Sequence, residues 1–172
     1  MANLLLQYGT RVNDPPGQYG PVLVAATVNN DLALIKLLLD IGAEIDASHR
    51  FGAQQNPETR QQTALSRAIC NDYVSMVEML HNRGADFTIE CVCGHAIQNA
   101  AYFGRSEILG ILISYGADIH KPSKSFLNVM EAAMAGAQGD MFPKFLGFGM
   151  DIHVKCPPRD NLLHIAAGES SI

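Results

Sequence analysis

Residues 63–87 read TALSRAICNDYVSMVEMLHNRGADF. The stretch opens on a short apolar phrase, Thr63-Ala64-Leu65-Ser66-Arg67-Ala68, and continues with Met76, Val77 and Leu80. That i, i+1, i+4 spacing lies along one stripe of a helix. Gly84 follows the stripe and, lacking a Cβ, supplies the left-handed residue that ends a helix. Asp72 stands where the second helix is expected to begin and can accept its unpaired amide hydrogens. The stretch therefore predicts a small first helix, a longer second helix and a glycine stop.

The pattern recurs on both sides. The closing phrase Gly84-Ala85-Asp86-Phe87 returns as Gly42-Ala43-Glu44-Ile45, Gly116-Ala117-Asp118-Ile119 and Gly149-Met150-Asp151-Ile152, with a weaker copy at Gly9-Thr10-Arg11-Val12. Successive glycines are 33, 42, 32 and 33 residues apart. Ala26, Ala68, Ala100 and Ala133 each lie sixteen residues before a closing glycine, and Ala166 continues the series. The apolar stripe is repeated by Leu34, Ile35 and Leu38, by Ile108, Leu109 and Leu112, and by Met141, Phe142 and Phe145. Asp31 and Asp140 are the expected caps of the flanking second helices. Pro143 then falls in a first turn, where no internal hydrogen bond is lost, and shortens its helix without abolishing it.

One such unit cannot bury its own stripe, but stacked neighbours can, which makes a solenoid. The spacing divides the chain into a partial repeat at 1–20, a repeat with a loop insertion at 21–62, repeats at 63–94, 95–127 and 128–160, and a partial repeat at 161–172. The two end fragments suggest an excerpt of a longer repeat protein. The insertion lies between Gly42 and Thr63, and its sequence from Ser48 to Gln62 is polar with one phenylalanine, as suits a solvated finger.

Composition narrows the function. The 172 residues are 48% hydrophobic and 17% charged, with a formal net charge of −5. Such a balance offers no attraction to nucleic acid or to an anionic membrane face. No apolar run is long enough to span a bilayer. The opening Met-Ala-Asn-Leu-Leu-Leu-Gln lacks the basic region of a secretory signal. Cys70, Cys91, Cys93 and Cys156 are not needed as staples in so apolar a chain, so a reducing compartment, cytoplasmic or nuclear, is expected.

These repeats resemble the ankyrin repeat, whose pattern is a Thr-Pro-Leu-His-x-Ala-Ala opening, a second helix and a Gly-Ala-Asp close. The match spans nearly the whole chain and is strongest at residues 63–68 with Gly84-Ala85-Asp86, and at Leu163-His164-Ile165-Ala166-Ala167. Proline follows the opening residue nowhere, and histidine fills its usual slot only at His164. The resemblance implies an all-α solenoid of helix-turn-helix units with hairpin-like loops, and a protein-binding module with no cofactor and no catalysis. It gives His164 a buried structural hydrogen bond. At Asn13, His120 and His153 it implies the loop position that an asparaginyl hydroxylase modifies in many such proteins.

No phosphate loop, Gly-x-Ser-x-Gly or His-Glu-x-x-His is present. Gly147-Phe148-Gly149 follows no strand and reads as a helix stop. The sharpest local cluster is Cys91-Val92-Cys93-Gly94-His95, three candidate ligands for a zinc or redox site at Cys91 and Cys93. A fourth ligand could be Cys70 or Cys156, but Cys156 would lie about 18 Å along the stack, too far to share an ion, if helices are about 9 Å apart.

Partners of this family usually meet the concave face made by loop tips and first helices. By register that face takes in Gln18, Val28, Asn29, Cys70, Cys91 and Ser125, and the expected contact residues are Arg60, Gln62, Asn71, Val92, Tyr102, Phe103, Lys124 and Leu127. Tyr102 and Phe103, with Val92 and Leu127 beside them, have the aromatic character of a binding hot spot. An alternative is that the stack is the recognition arm of a larger multidomain enzyme or channel.

Overall fold

A computed structural model of the chain describes residues 12–13, 20–50, 61–91 and 93–149, without the side chains of His49 and Arg50. Its helices come in pairs. Helix α1 (Val22–Ala26), prolonged by a 3-10 turn at Thr27–Asn29, precedes α2 (Leu32–Asp40), and α3 (Ala64–Cys70) precedes α4 (Val74–Asn82). Helix α5 (Ala96–Tyr102) precedes α6 (Ser106–Ser114), and α7 (Val129–Ala135) leads through a 3-10 turn at Gly139–Met141 into α8 (Phe142–Gly147).

The turn inside each pair carries a register that the spacing of glycines and alanines did not reveal. Asn30, Asp72, Gly104 and Ala137 all have positive φ, at 51°, 63°, 70° and 57°. The residue after each of the last three donates to the carbonyl five positions back: Tyr73 to Ala68 at 3.0 Å, Arg105 to Ala100 at 2.8 Å and Gln138 to Ala133 at 2.9 Å. That bond satisfies a carbonyl left over at the end of the first helix. Asp72 is therefore a left-handed turn residue, a conformation a short polar side chain tolerates, and not the cap of α4. Its helix has Tyr73 at the N-cap with no side-chain bond. Asp31, one register step later, does cap α2 by accepting from the Leu34 amide at 3.0 Å. Asp140 lies inside the 3-10 turn, and α8 is preceded by Met141 without a side-chain cap. Pro143 occupies the first turn of a six-residue α8, the shortening its position predicts.

Each second helix stops at its glycine. Gly42, Gly84, Gly116 and Gly149 have φ of 90°, 90°, 86° and 79°. Ala43, Ala85 and Ala117 then close back on Leu38, Leu80 and Leu112 at 2.9, 3.0 and 2.9 Å. The stripes face inward: Ile35, Leu38, Met76, Val77, Leu80, Ile108, Leu109, Leu112, Met141 and Phe145 are buried, while Leu34 and Phe142 pack on the edge of the core. Ala26, Ala68, Ala100 and Ala133 are buried too, small enough to let successive layers close. One continuous hydrophobic cluster runs from Leu23 to Phe145. Truncating any of its large members to alanine removes about 2–5 kcal/mol.

The loops project from the helix pairs as short hairpins. Strands β1 (His49–Arg50) and β2 (Gln61–Gln62) pair antiparallel, with His49 opposite Gln62 and Arg50 opposite Gln61. They form the stem of the insertion, whose tip at 51–60 lies outside the described residues. In the next loop a single bridge joins Cys91 and Gly94. Adjacent loops are tied by side chains at one repeated position. Asn13 accepts from the Glu44 amide and donates to the Gly42 carbonyl, both at 2.9 Å, and Asp46 accepts from the Asp86 amide at 3.0 Å.

Candidate functional site

Tyr102 ends α5 and Phe103 follows it as the C-cap. Their ring centroids are 5.1 Å apart and nearly perpendicular, and Tyr102 also stacks on Phe126 at 6.0 Å. Edge-to-face and offset arrangements of this kind satisfy the ring quadrupoles. Tyr102 and Phe126 pack against the core while keeping an exposed edge. Leu127 is 45% exposed, and the Lys124 side chain is 92% exposed. The loop after α6 thus brings Phe126 to Tyr102 and leaves the neighbouring Leu127 and Lys124 exposed.

The remaining contact candidates divide. Gln62 is half-buried and accepts from Arg67 Nη1 at 3.1 Å, and Asn71 is exposed at the C-cap of α3. Arg60, Val92 and Gln18 lie outside the described residues, as do Cys156, His153 and His164. Val28, Cys70, Tyr102 and Ala135 occupy equivalent places in the four helix pairs, and Val28 is 51% exposed. Arg105 ties two of these pairs together. Its Nη2 donates to the Cys70 carbonyl at 2.7 Å, and its Nη1 is 3.8 Å from the Asp72 carboxylate.

A buried polar group that no sequence motif marks holds the loop carrying Phe126. Gln98 is wholly buried. Its Oε1 accepts from the His95 amide at 3.0 Å, and its Nε2 donates to the carbonyls of Lys121 at 3.0 Å and Phe126 at 3.3 Å. Asn99 accepts from the Cys93 amide at 3.2 Å and donates to the Gly94 and His95 carbonyls at 3.0 Å each. The usable signal was position: Gln98 stands in the fourth slot of its opening phrase, where a polar side chain in a buried helix must find partners.

The Cys91–His95 cluster is committed to this network. The His95 nitrogens face carbonyl oxygens, Nδ1 that of Thr88 at 2.6 Å and Nε2 that of Pro122 at 3.3 Å. Cys93 is buried, and Cys91 Sγ is 3.8 Å from the Thr63 hydroxyl. None of Cys70, Cys91 and Cys93 is in a disulfide. Burial, and then the neighbouring Cys93 and Cys91, push the Cys70 thiol up to about 12. Among the described residues no group of three or more His, Cys, Asp or Glu is placed to hold a metal ion.

Two carboxylates in the tie between loops are perturbed in opposite directions. Burial holds the Asp46 carboxyl above its ordinary value, with help from Asp86 and Glu44 and against the Asp86 amide bond. Hydrogen bonds from the Thr88 hydroxyl and amide hold Asp86 below its ordinary value. Among the described residues no helix is long and apolar enough to cross a membrane.

The arrangement offers an aromatic platform with an exposed loop beside it, built on a rigid stack. The family model for ankyrin repeats (3 copies) matches residues 1–91 and again 22–123. One curated relative is the ankyrin repeat and KH domain-containing protein mask-1 of Caenorhabditis elegans, 24% identical over 205 aligned positions. That similarity covers 100% of this chain, which spans only 8% of the relative's length. With the repeated left-handed turns and glycine stops now seen in the fold, the chain belongs to the ankyrin-repeat family.

Proposed function

We propose that the chain binds another protein on the concave face of its repeat stack, with Tyr102 and Phe103 at the centre and Leu127, Lys124, Asn71 and Gln62 around them. Ankyrin repeats are in general protein–protein interaction modules. The observation that carries the reading here is the Tyr102–Phe103–Phe126 aromatic cluster beside the exposed Leu127. Aromatic anchors bordered by smaller contacts supply most of the energy of a protein interface. Arg60 and Val92 extend the same face by register. The role is that of a non-enzymatic scaffold inside the cell, without nucleic acid as a partner.

The test is capture of cell proteins on the immobilised chain, compared with the Tyr102→Ala/Phe103→Ala double variant. A partner whose affinity falls more than about tenfold, with the helical circular-dichroism signal retained, supports the reading. Equal capture by both forms overturns it.

A second reading makes the same surface the recognition arm of a longer polypeptide. It is favoured by the small fraction of the mask-1 relative that this chain spans. The natural transcript around residues 1 and 172 decides between the two.

A further inference from the structure

The loop Lys121–Leu127 carries Lys124 and Leu127, two of the proposed contact residues, and much of what holds it comes from the start of the first helix of the same repeat and from the loop before that helix. Gln98 Nε2 donates to the Lys121 and Phe126 carbonyls. His95 Nε2 faces the Pro122 carbonyl. Glu90 accepts from the Lys124 amide at 3.0 Å, and its other oxygen is 3.5 Å from Lys124 Nζ. His95 and Gln98 at the start of α5, with Glu90 from the loop before it, thus grip both ends and the middle of the loop that follows α6.

The neighbouring junctions are built differently. Ser66 occupies the place of Gln98 in the preceding repeat, but its hydroxyl bonds only within its own turn, donating to the Thr63 carbonyl and accepting from the Thr63 amide. Glu131 occupies that place in the following repeat and turns back to accept from the Leu127 amide. Among the described residues, then, only the repeat that carries Tyr102 and Phe103 has at this slot a buried amide that reaches the loop leading to the next helix pair. Gly94 leaves room for it, since a Cβ there would overlap Gln98 Oε1.

We infer that Gln98 is a positioning residue for partner binding: through its bonds to the Lys121 and Phe126 carbonyls it fixes the loop that presents Lys124 and Leu127 beside the aromatic pair. This rests on the concave-face reading above. A buried amide with all partners in place confines the loop to one conformation, so the ordering entropy of Lys124 and Leu127 is met on folding and not on binding.

The test uses the full chain and, as probe, the tightest peptide selected against it from a random displayed library. Gln98→Met keeps the length and volume of the side chain and removes its donor and acceptor. Gln98→His restores one of each. Amide exchange is measured at Ser123 and Lys124, alongside peptide affinity. The expected result is faster exchange at both amides in Gln98→Met, affinity reduced roughly three- to tenfold, and recovery of both in Gln98→His. Unchanged exchange in Gln98→Met overturns the inference. So does faster exchange with unchanged affinity, when the peptide is still lost from the Tyr102→Ala/Phe103→Ala variant. A peptide that binds that double variant as well as it binds the parent refutes the concave-face reading itself, whatever Gln98 does to the loop. If Gln98→Met proves too unstable to study, Lys124→Gly/Leu127→Gly must reproduce the affinity loss for the inference to stand.

Discussion

Gly136 lies against the backbone carbonyl of Tyr102, so closely that a Cβ at position 136 would overlap the carbonyl oxygen. The contact joins the ends of α5 and α7, and backbone cannot swing aside as a flexible side chain could. Gly136 has ordinary negative φ, so the demand is for space and not for conformation. Gly136→Ala must therefore push two repeats apart, at a cost of about 1–3 kcal/mol. Thermal unfolding reads the loss as a lower Tm. An alanine variant as stable as the parent contradicts the packing described.

The pair also refines which aromatic residue can be removed cleanly. Tyr102 packs on the hydrophobic core and stacks on Phe126, whereas Phe103 stands edge-on to Tyr102. Phe103→Ala is expected to cost less stability than Tyr102→Ala, whose truncation carries up to about 3–5 kcal/mol if the site does not relax. Urea unfolding of the two single variants checks the order. A larger loss for Phe103→Ala means that it, too, is core.

What was legible from the residues is what repeats. Glycine stops announce themselves because only that residue takes φ near 90° without strain, and buried alanines because larger side chains would separate the layers. The left-handed turn inside each pair was hidden because Asn30, Asp72, Gly104 and Ala137 share a backbone state without sharing a side chain. Asp72 accordingly reads as a cap although it is the turn residue before one. At the proposed contact surface, Tyr102 and Phe103 are visible as aromatic residues at loop-facing register positions. Gln98 is not, since its importance lies in carbonyls 23 and 28 residues further on, and no local pattern reports those.

Arg105 supports the same region from the other side. Its bond to the Cys70 carbonyl brings a cation to the C-terminal end of α3, where the helix dipole and an unpaired carbonyl both favour it. Arg105→Met keeps much of the apolar stem and leaves that carbonyl without its guanidinium partner. A loss of about 1–2 kcal/mol is expected, measurable by chemical denaturation. Arg105→Lys should recover little, because a single ammonium does not reproduce a guanidinium fork reaching Cys70 and Asp72 together. Full recovery by lysine reduces the contribution of Arg105 to its charge alone.

Cys70 should be chemically quiet in the folded chain. With its thiol pushed up to about 12, the reactive thiolate at pH 8 amounts to roughly one part in ten thousand. Iodoacetamide labelling at pH 8, read by peptide mass spectrometry, is expected to modify Cys70 far more slowly in the native protein than in guanidinium chloride. Equal rates in the two conditions contradict the burial that raises it.

Asp46 and Asn13 occupy the same place in successive repeats, but only Asn13 uses both arms of the tie, donating to the Gly42 carbonyl as well as accepting from the Glu44 amide. Asp46 accepts from the Asp86 amide and has no donor to offer when ionised. Burial raises its carboxyl above the unfolded value of 3.8. The native state therefore holds that proton more tightly than the unfolded chain does, and the stability it contributes is present below pH 3.8 and lost as pH rises through the raised value. Asp86 runs the opposite way, its contribution being lost as pH falls, and it is common to both forms compared. Asp46→Asn removes the charge, keeps the acceptor and adds a donor facing the Gly84 carbonyl, as Asn13 has toward Gly42. At pH 7 the variant is expected to be more stable by about 0.5–1.5 kcal/mol, the net worth of one hydrogen bond. That advantage should narrow as pH falls toward 4 and Asp46 protonates in the parent. Thermal unfolding of both proteins between pH 4 and 7 tests this, and an advantage that widens on acidification would reverse the assignment.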